Sequence, residues 1–265
     1  MAAPITDLAQ VRALLAADSA QLDPGSRYIR ELLAVVDAAA DVADLERRLD
    51  AGGRGRYWAG DETFRRMSLA DKLRVNLITN ETSLMRFDGA EILHLRGEVL
   101  AGLARAGPVR ILSLPCSHGE EAVSLAIEGL EAGLTDFVVQ GYDIQGACIE
   151  TARSGRIPLS GLPRYVVGLV DPVVTRHLRF DVADVFTHPI RRPDEAPWDL
   201  IVCRNFLGYF RPEAVRQALG RLIDVLATPG VLLLDAFILS KHPELFRELP
   251  LVQTGSTPFF TRPRP

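Results

Sequence analysis

The stretch LPCSHGEEAVSLAIE, residues 114–128, combines the residue types of a ligand-binding loop. An apolar run, 109–114, leads into a short polar loop with one glycine, Gly119, followed by two adjacent glutamates and a helical pattern. A strand, loop and helix in this order hold a nucleotide-type cofactor in doubly wound α/β folds. The loop lacks the G-x-G-x-x-G pattern that admits a pyrophosphate, and it lacks the Lys-Ser/Thr ending of a P-loop. It therefore favours a cofactor that carries an adenosine without a phosphate, such as S-adenosylmethionine.

Two aspartates follow later apolar runs at positions that suit such a cofactor. Asp143 ends FVVQGYD, 24 residues after Gly119, close to the spacing of about 20 residues expected for a ribose-binding carboxylate. The alternative is that Asp143 caps the helix that begins near Gln145. Asp184 ends LRFDVAD, just after the apolar run, and is a candidate neighbour of the adenine amine, with a simple loop cap as the alternative.

Polar and aromatic residues also follow the buried run DLIVC. Arg204 and Asn205 come first, and Tyr209 and Phe210 come next. Ligands of open α/β sheets bind beyond the carboxyl ends of the strands, so this segment is a further candidate for the site. Cys116 and Cys203 near this end, each without a histidine base, are interpreted as small packing residues, and the five scattered histidines show no metal-ligand spacing.

The pattern of apolar residues changes near residue 108. Before it, DLAQVRALLAA and IRELLAVVDAAADVADLERRL carry apolar residues at helical spacing. After it, five short apolar runs alternate with helical patterns, which predicts βαβ units in a mostly parallel sheet. LATPGVLLL is read as a helix end, a Pro-Gly turn and a core strand, and the tail LVQTGSTPFFTRP as a hairpin-like strand pair. We predict a helical N-terminal domain, 1–90, and a Rossmann-like α/β domain, 91–265, which opens with a helix near 90–107.

Composition restricts the class of protein further. The 265 residues carry a formal net charge of −4, which gives no support to nucleic-acid binding by bulk charge. Three cysteines are too few for a disulfide framework and favour a reducing compartment. No apolar run reaches the roughly 18 residues of a membrane helix, and the N-terminus does not resemble a signal peptide. We expect a cytoplasmic protein without membrane insertion.

Five segments in order resemble the chemotaxis-receptor (CheR-type) methyltransferases. They are LITNETSLMRF, CSHGEEAVSLAI, YDIQGACIETARSG, DLIVCRNFLGYF and LATPGVLLL, between about Leu77 and Pro243. The resemblance implies a class I methyltransferase sheet with an antiparallel last strand. It also implies methyl transfer from S-adenosylmethionine to a glutamate carboxylate of a chemoreceptor-type protein, with a methyl ester and S-adenosylhomocysteine as products.

The resemblance also implies roles for individual residues. Arg86 and Tyr209 match the catalytic positions, where Arg86 orients the acceptor carboxylate and Tyr209 lies beside the transferred methyl group. The matched cofactor contacts are Asn80, Thr82, Arg86, Glu120, Asp143, Ile144, Asp184, Asn205 and Phe206. No metal is implied.

Three departures from the family pattern leave the acceptor open. DAFILSK stands where the family has His-Ser-Glu after the fifth strand, and only 25 residues separate Gly155 from Phe180, too few for the usual β-subdomain. Residues 1–75 hold 11 Lys and Arg against 12 Asp and Glu, where the family has an arginine-rich helix. The alternatives are a methyltransferase acting on a small molecule or another protein, and a non-catalytic module that binds S-adenosylmethionine or its product.

Overall fold

The computed structural model describes residues 5–20, 27–51, 68–70, 72–73, 89–104, 107–155, 166–167, 169–191, 196–254 and 258–263. The chain divides into two compact units, residues 1–81 with 209–214 and residues 82–208 with 215–265. The predicted domain boundary between residues 90 and 91 stays a prediction.

In the first unit, the helices whose bounds the structure gives are α1 (Leu8–Asp18), α2 (Arg27–Asp37) and α3 (Val42–Ala51), and the described residues 69–70 and 72–73 are helical as well. The long helical run of the sequence forms two helices, because the Asp41 carboxylate accepts a hydrogen bond from Asp44 N at 2.7 Å and starts a new helix there. Leu45 and Leu49 of α3 are fully buried, as their spacing predicts.

The second unit alternates helices and strands. Its first helix, α4, runs as Gly89–His94, continues through a π-helical turn, Leu95–Leu100, and ends with Ala101–Leu103. The elements that follow are β1 (Val109–Ser113), α5 (Glu120–Glu131), β2 (Phe137–Asp143), α6 (Gly146–Ser154), β3 (Val166–Val167), β4 (Leu169–Val170), α7 (Pro172–Thr175), β5 (Leu178–Val182), β6 (Trp198–Cys203), α8 (Pro212–Asp224), β7 (Leu226–Leu234), α9 (Ala236–Lys241), α10 (Pro243–Arg247), β8 (Val252–Gln253) and β9 (Phe259–Arg262).

Seven of these strands form one sheet in the order β5-β2-β1-β6-β7-β9-β8. The first five are parallel, β9 runs antiparallel to β7, and β8 runs antiparallel to β9. This confirms the predicted fold class and the terminal strand pair. The strand order reverses around β1, so a crevice opens beyond the carboxyl ends of the central strands. Ile111, Val139 and Leu200 of the sheet and Val123 of α5 belong to one buried apolar cluster beneath that edge.

The reading of LATPGVLLL as helix, turn and strand is wrong. Strand β7 already begins at Leu226, and its pairing with β6 jumps from Trp198–Leu226 to Leu200–Val231. The Pro-Gly segment therefore forms an irregularity inside the strand, which a β-bulge accommodates, rather than a turn before it.

The region between Gly155 and Phe180 contains a small separate sheet. Strands β3 and β4 pair antiparallel through Val166–Val170 and Val167–Leu169. Each is two residues long, and the helix α7 and edge strand β5 follow them directly.

Candidate functional site

The loop from β1 to α5 is fixed by backbone hydrogen bonds to the end of β2. Cys116 N donates to Tyr142 O at 2.8 Å, and Gly119 N donates to Cys116 O at 2.8 Å. Gly119 has φ +93°, and a Cβ atom at this position would lie 2.9 Å from the Phe180 ring. Glycine is therefore needed both for the left-handed backbone and for close packing, and α5 begins at the next residue.

Glu120 places a buried carboxylate at the start of α5. Glu120 is 5% exposed, and its Oε2 has no hydrogen-bond partner within the described ranges. His118 Nδ1 lies 3.9 Å from Oε1. Burial, and less strongly the nearby carboxylates Glu121 and Asp143, raise the pKa of Glu120 to about 7. Because an uncompensated buried charge is costly, the site fits a ligand that brings an ammonium group, such as the methionine part of S-adenosylmethionine.

Asp143 ties the end of β2 to the loop after β1. Its Oδ2 accepts from Ser117 N at 2.8 Å, and its Oδ1 accepts from Gln145 N at 3.0 Å. Burial raises the pKa of Asp143, and these backbone donors act in the opposite direction. Asp143 therefore anchors the loop, but it is not the helix cap named as the alternative, because the N-cap of α6 is Gln145 and no side chain bonds there as a cap. Each carboxylate oxygen has a second acceptor site, so the contact to a ribose diol stays a prediction.

Apolar side chains lie beyond the ends of β2 and β5. Ile144 is 42% exposed and Val182 is 48% exposed, and the residue before Ile144 pairs with Val182 across the two strands. Further along this edge, the rings of Phe186 and Phe206 are 6.4 Å apart and tilted by 45°. Exposed apolar surface can line a pocket for a flat heteroaromatic ring, and the contact of Ile144 with adenine stays a prediction.

Asp184 is engaged in its own loop. Its Oδ1 accepts from Phe186 N at 2.8 Å, and its Oδ2 accepts from Thr187 Oγ1 at 2.9 Å. The loop-cap alternative describes this geometry. Arg221 of α8 also fixes this loop, because its guanidinium donates to Val185 O and His188 O at 2.5 Å each. A direct contact of Asp184 with adenine stays a prediction.

Asn205 follows β6 with a left-handed backbone, φ +54°, and an exposed side chain. Its N–H donates to Asp235 Oδ2 at 2.9 Å. Tyr209 ends a 3₁₀ turn, Leu207–Tyr209, and groups with the first unit of the chain. Asn80, Thr82 and Arg86 lie outside the described residues.

A buried ionic network lies beside Glu120, and the sequence patterns did not predict it. Glu121 accepts from Ser113 Oγ at 2.8 Å, and Arg204 reaches Glu91 Oε2 at 3.1 Å and Glu121 Oε2 at 3.9 Å. Burial raises the pKa of Glu121, while Arg204 and Ser113 act against that rise. The two adjacent glutamates therefore differ, because Glu121 has a cation and Glu120 faces none from a lysine or arginine among the described residues. The signal in the sequence was Arg204 itself, a charged residue directly after an apolar strand.

The thiols near the site are packing groups, as predicted for Cys116 and Cys203. Both are buried, and burial raises the pKa of each thiol well above its ordinary value. Cys148 Sγ lies 3.6 Å from His118 Nε2, a neighbour that the sequence did not reveal.

In the part of the chain that the structure covers, no cluster of three or more His, Cys, Asp or Glu residues suits a metal ion, and no helix is long and apolar enough to cross a membrane.

Relatives of known name match this chain over part of its length. The "Probable biofilm formation methyltransferase WspC" of Pseudomonas aeruginosa is 28% identical over 63% of this chain and 44% of its own length. A "Chemotaxis protein methyltransferase" of Campylobacter jejuni is 30% identical over 46% of this chain and 51% of its own. The chain thus spans about half the length of these relatives. Among solved structures, SAM-bound CalS10, an amino pentose methyltransferase from Micromonospora echinaspora, covers 55% of this chain and 51% of its own at 20% identity, with a TM-score of 0.34.

The family described as CheR methyltransferase, SAM binding domain, matches residues 80–251, which is more than half of the chain. That match includes β1, α5 and β2, and Glu120 and Asp143 lie where these elements meet. The description of the family names S-adenosylmethionine as the cofactor. This cofactor suits a loop that lacks phosphate-binding glycines and a buried glutamate without a lysine or arginine partner among the described residues. The chain belongs to the CheR methyltransferase family.

Proposed function

We propose that this protein transfers the methyl group of S-adenosylmethionine to glutamate side chains of chemoreceptor-type proteins. The product on the acceptor is a methyl ester. The observation that carries the cofactor part is the buried Glu120 carboxylate, which has no lysine or arginine counter-charge in the described ranges. The acceptor part is supported by the relatives, several of which are named chemotaxis methyltransferases.

The binding side of the site is assigned by the chemistry of its residues. Glu120 binds the ammonium group of the methionine part, Asp143 accepts from the ribose hydroxyls, and Ile144 with Val182 covers the adenine ring. Asn205 and Phe206 complete the contacts from the end of β6. When bound, S-adenosylmethionine supplies an electrophilic methyl group on a sulfonium.

The acceptor side needs no proton transfer. A glutamate side chain has an ordinary pKa of about 4.3 and is already ionised at neutral pH. The protein must therefore align the carboxylate and exclude water, and alignment alone is worth roughly 7 to 11 kcal/mol in well-oriented reactions. Arg86 is proposed to orient the carboxylate with its planar fork, and Tyr209 to direct its hydroxyl toward the same group.

One structural feature favours a second acceptor class. Among the described residues between 155 and 180, the β3–β4 pairing has two residues in each strand, which is a small surface for holding a receptor segment. A methyltransferase of the same site that acts on a small molecule or on another protein is the competing proposal.

The test is methyl transfer from tritiated S-adenosylmethionine to purified receptor cytoplasmic domains. We expect label in the receptor that is released by mild base, as an ester requires, and that is lost when the accepting glutamates are replaced by alanine. Tyr209→Phe should lower kcat while the affinity for S-adenosylhomocysteine changes little. Arg86→Lys should lower both kcat and that affinity, because Arg86 also matches a cofactor contact. Val252→Ala, which alters an exposed apolar residue on β8, is the matched control and should retain full activity.

Each other outcome assigns a different function. Label in small molecules but not in receptors supports the competing methyltransferase. Tight binding of S-adenosylhomocysteine with no turnover on any acceptor supports a non-catalytic module. Absence of binding would refute the cofactor assignment and every function built on it.

A further inference from the structure

The segment that follows β7 is hydrogen-bonded to the loop that follows β6. Asp235, 7% exposed, places Oδ1 at 2.9 Å from Ile238 N, which caps α9, and Oδ2 at 2.9 Å from Asn205 N. One buried carboxylate thus joins the exits of two neighbouring strands. A helix cap needs only one of these two bonds.

The bond to Asn205 acts on a backbone that is uncommon for a residue with a side chain. A φ of +54° is tolerated best by glycine and, among other residues, by asparagine and aspartate. A hydrogen bond from a backbone N–H to an ionised carboxylate is stronger than one between neutral groups. The Asp235 carboxylate therefore holds Asn205 in the conformation that leaves its side chain exposed at the edge of the sheet.

Two more contacts join the same helix to the same loop. Lys241 Nζ donates to Gly208 O at 2.6 Å. The Phe237 ring packs on Gly208 so closely that a Cβ atom there would lie 2.5 Å from the ring, and Lys241 Nζ is 5.8 Å from the ring centroid. The first and last turns of α9 therefore both contact the segment 205–208.

We propose that Asp235, with Lys241, positions the loop 204–208 so that Asn205 reaches the cofactor. This assigns a function to DAFILSK, the segment that departs from the family pattern, and it rests on the proposed role of Asn205 as a cofactor contact. In this proposal Asp235 is a positioning residue, because its two hydrogen bonds go to backbone N–H groups and its effect passes through Asn205.

The decisive variant is Asp235→Ser in the full chain. Serine is a good N-cap and keeps a bond to Ile238 N, but its single hydroxyl cannot also reach Asn205 N. Asp171→Ser is the matched control, because Asp171 caps α7 through Val173 N at 2.8 Å and has no bond to the loop 204–208. The probe is S-adenosylhomocysteine, measured by calorimetry, with thermal unfolding of each variant alongside.

We expect Asp235→Ser and Asn205→Ala each to weaken binding about tenfold, a typical loss for one hydrogen bond to a charged group. In the double variant the loss should stay within about twofold of the larger single loss, because both changes remove the same contact. Asp171→Ser should bind as wild type. Losses that multiply to about a hundredfold, or a lower melting temperature with unchanged affinity, would show a purely structural role and overturn the proposal.

Lys241→Met provides an independent arm if Asp235→Ser does not fold. It removes the bond to Gly208 O while keeping the cap and the apolar stem, and it should weaken binding about threefold in the wild type but not in the Asn205→Ala background. Wild-type binding with no effect of Asn205→Ala overturns this inference and leaves the proposed function standing. No binding by the wild type overturns both.

Discussion

If Glu120 binds the cofactor as proposed, its buried carboxylate, which has no lysine or arginine counter-charge among the described residues, should make cofactor affinity depend on pH. With a pKa raised to about 7 by burial, only about a tenth of the free protein carries an ionised Glu120 at pH 6, and about nine tenths do at pH 8. An ammonium ligand binds the ionised form, so its apparent affinity scales with that fraction. The dissociation constant of S-adenosylhomocysteine should therefore fall about tenfold between pH 6 and pH 8 and then level off.

The same carboxylate has the opposite effect on the stability of the free protein. Its ordinary pKa of 4.5 applies to the unfolded chain, and the folded value is about 7, so the folded state binds the extra proton between these values. Stability is therefore lost as the pH rises through this window. At about 1.36 kcal/mol per pH unit, complete ionisation of Glu120 costs the fold about 3 kcal/mol.

Glu120→Gln removes both effects. We expect the variant without ligand to be up to about 3 kcal/mol more stable than wild type at pH 8, with the difference vanishing near pH 4.5. Its affinity for S-adenosylhomocysteine should be at least about tenfold weaker at pH 8 and nearly flat from pH 6 to pH 8. Urea unfolding and calorimetry across that range measure the two quantities.

Two controls isolate Glu120 from its surroundings. His118 Nδ1 lies 3.9 Å from Glu120 Oε1, so His118→Asn must retain the pH dependence that Glu120→Gln abolishes. Glu128 in the same helix is buried but ion-paired with Arg96 through bonds of 2.6 and 3.0 Å, so Glu128→Gln should lower stability. A pH dependence that survives Glu120→Gln, or a Glu120→Gln protein no more stable than wild type at pH 8, would refute the reasoning.

Two further substitutions test the surroundings of the site. Arg204→Met leaves Glu91 and Glu121 buried without their cation and should cost about 3–5 kcal/mol at pH 7. Part of this loss should be recovered at pH 5, because burial already raises the pKa of Glu121 and Arg204 acts against that rise; an equal loss at both pH values in urea unfolding contradicts the assigned network. Gly119→Ala should destabilise the protein by about 1–3 kcal/mol more than Gly133→Ala, because both residues have positive φ but only the first meets a neighbour, at 2.9 Å. Equal melting temperatures for these two variants would show that packing at Gly119 contributes nothing.

The sheet was predictable because its signals are local. Short apolar runs bounded by turn residues mark the strands, and parallel strands in an α/β fold leave their carboxyl ends at one edge, which brought Asp143 and Asn205 into one hypothesis. The Pro-Gly pair of β7 misled for the same reason. A local turn signal cannot reveal that the flanking residues pair with β6 on both sides of an irregularity.

The state of each carboxylate was not predictable, because burial and partners come from distant parts of the chain. Arg204 and Glu91 are 113 residues apart in sequence yet form an ion pair. Adjacent glutamates of identical type therefore acquire different partners, since Arg204 lowers the pKa of Glu121 but is not among the causes for Glu120, and nothing in the letters GEE separates them. Asp235 likewise looks like a plain helix cap until its second oxygen is found on Asn205 N.

The loop after β1 works without a cradle of glycines because its backbone donors are already used. Ser117 N is bonded to Asp143, Cys116 N to Tyr142 O and Gly119 N to Cys116 O. A pyrophosphate needs such N–H groups free, and here it would also face the buried carboxylate of Glu120. The carboxylate of Glu120 would instead attract a ligand that places an ammonium group beside it. We therefore expect the loop to favour an adenosyl cofactor with a cationic amine over a nucleotide phosphate, both because its backbone donors are occupied and because its carboxylates are buried beside it.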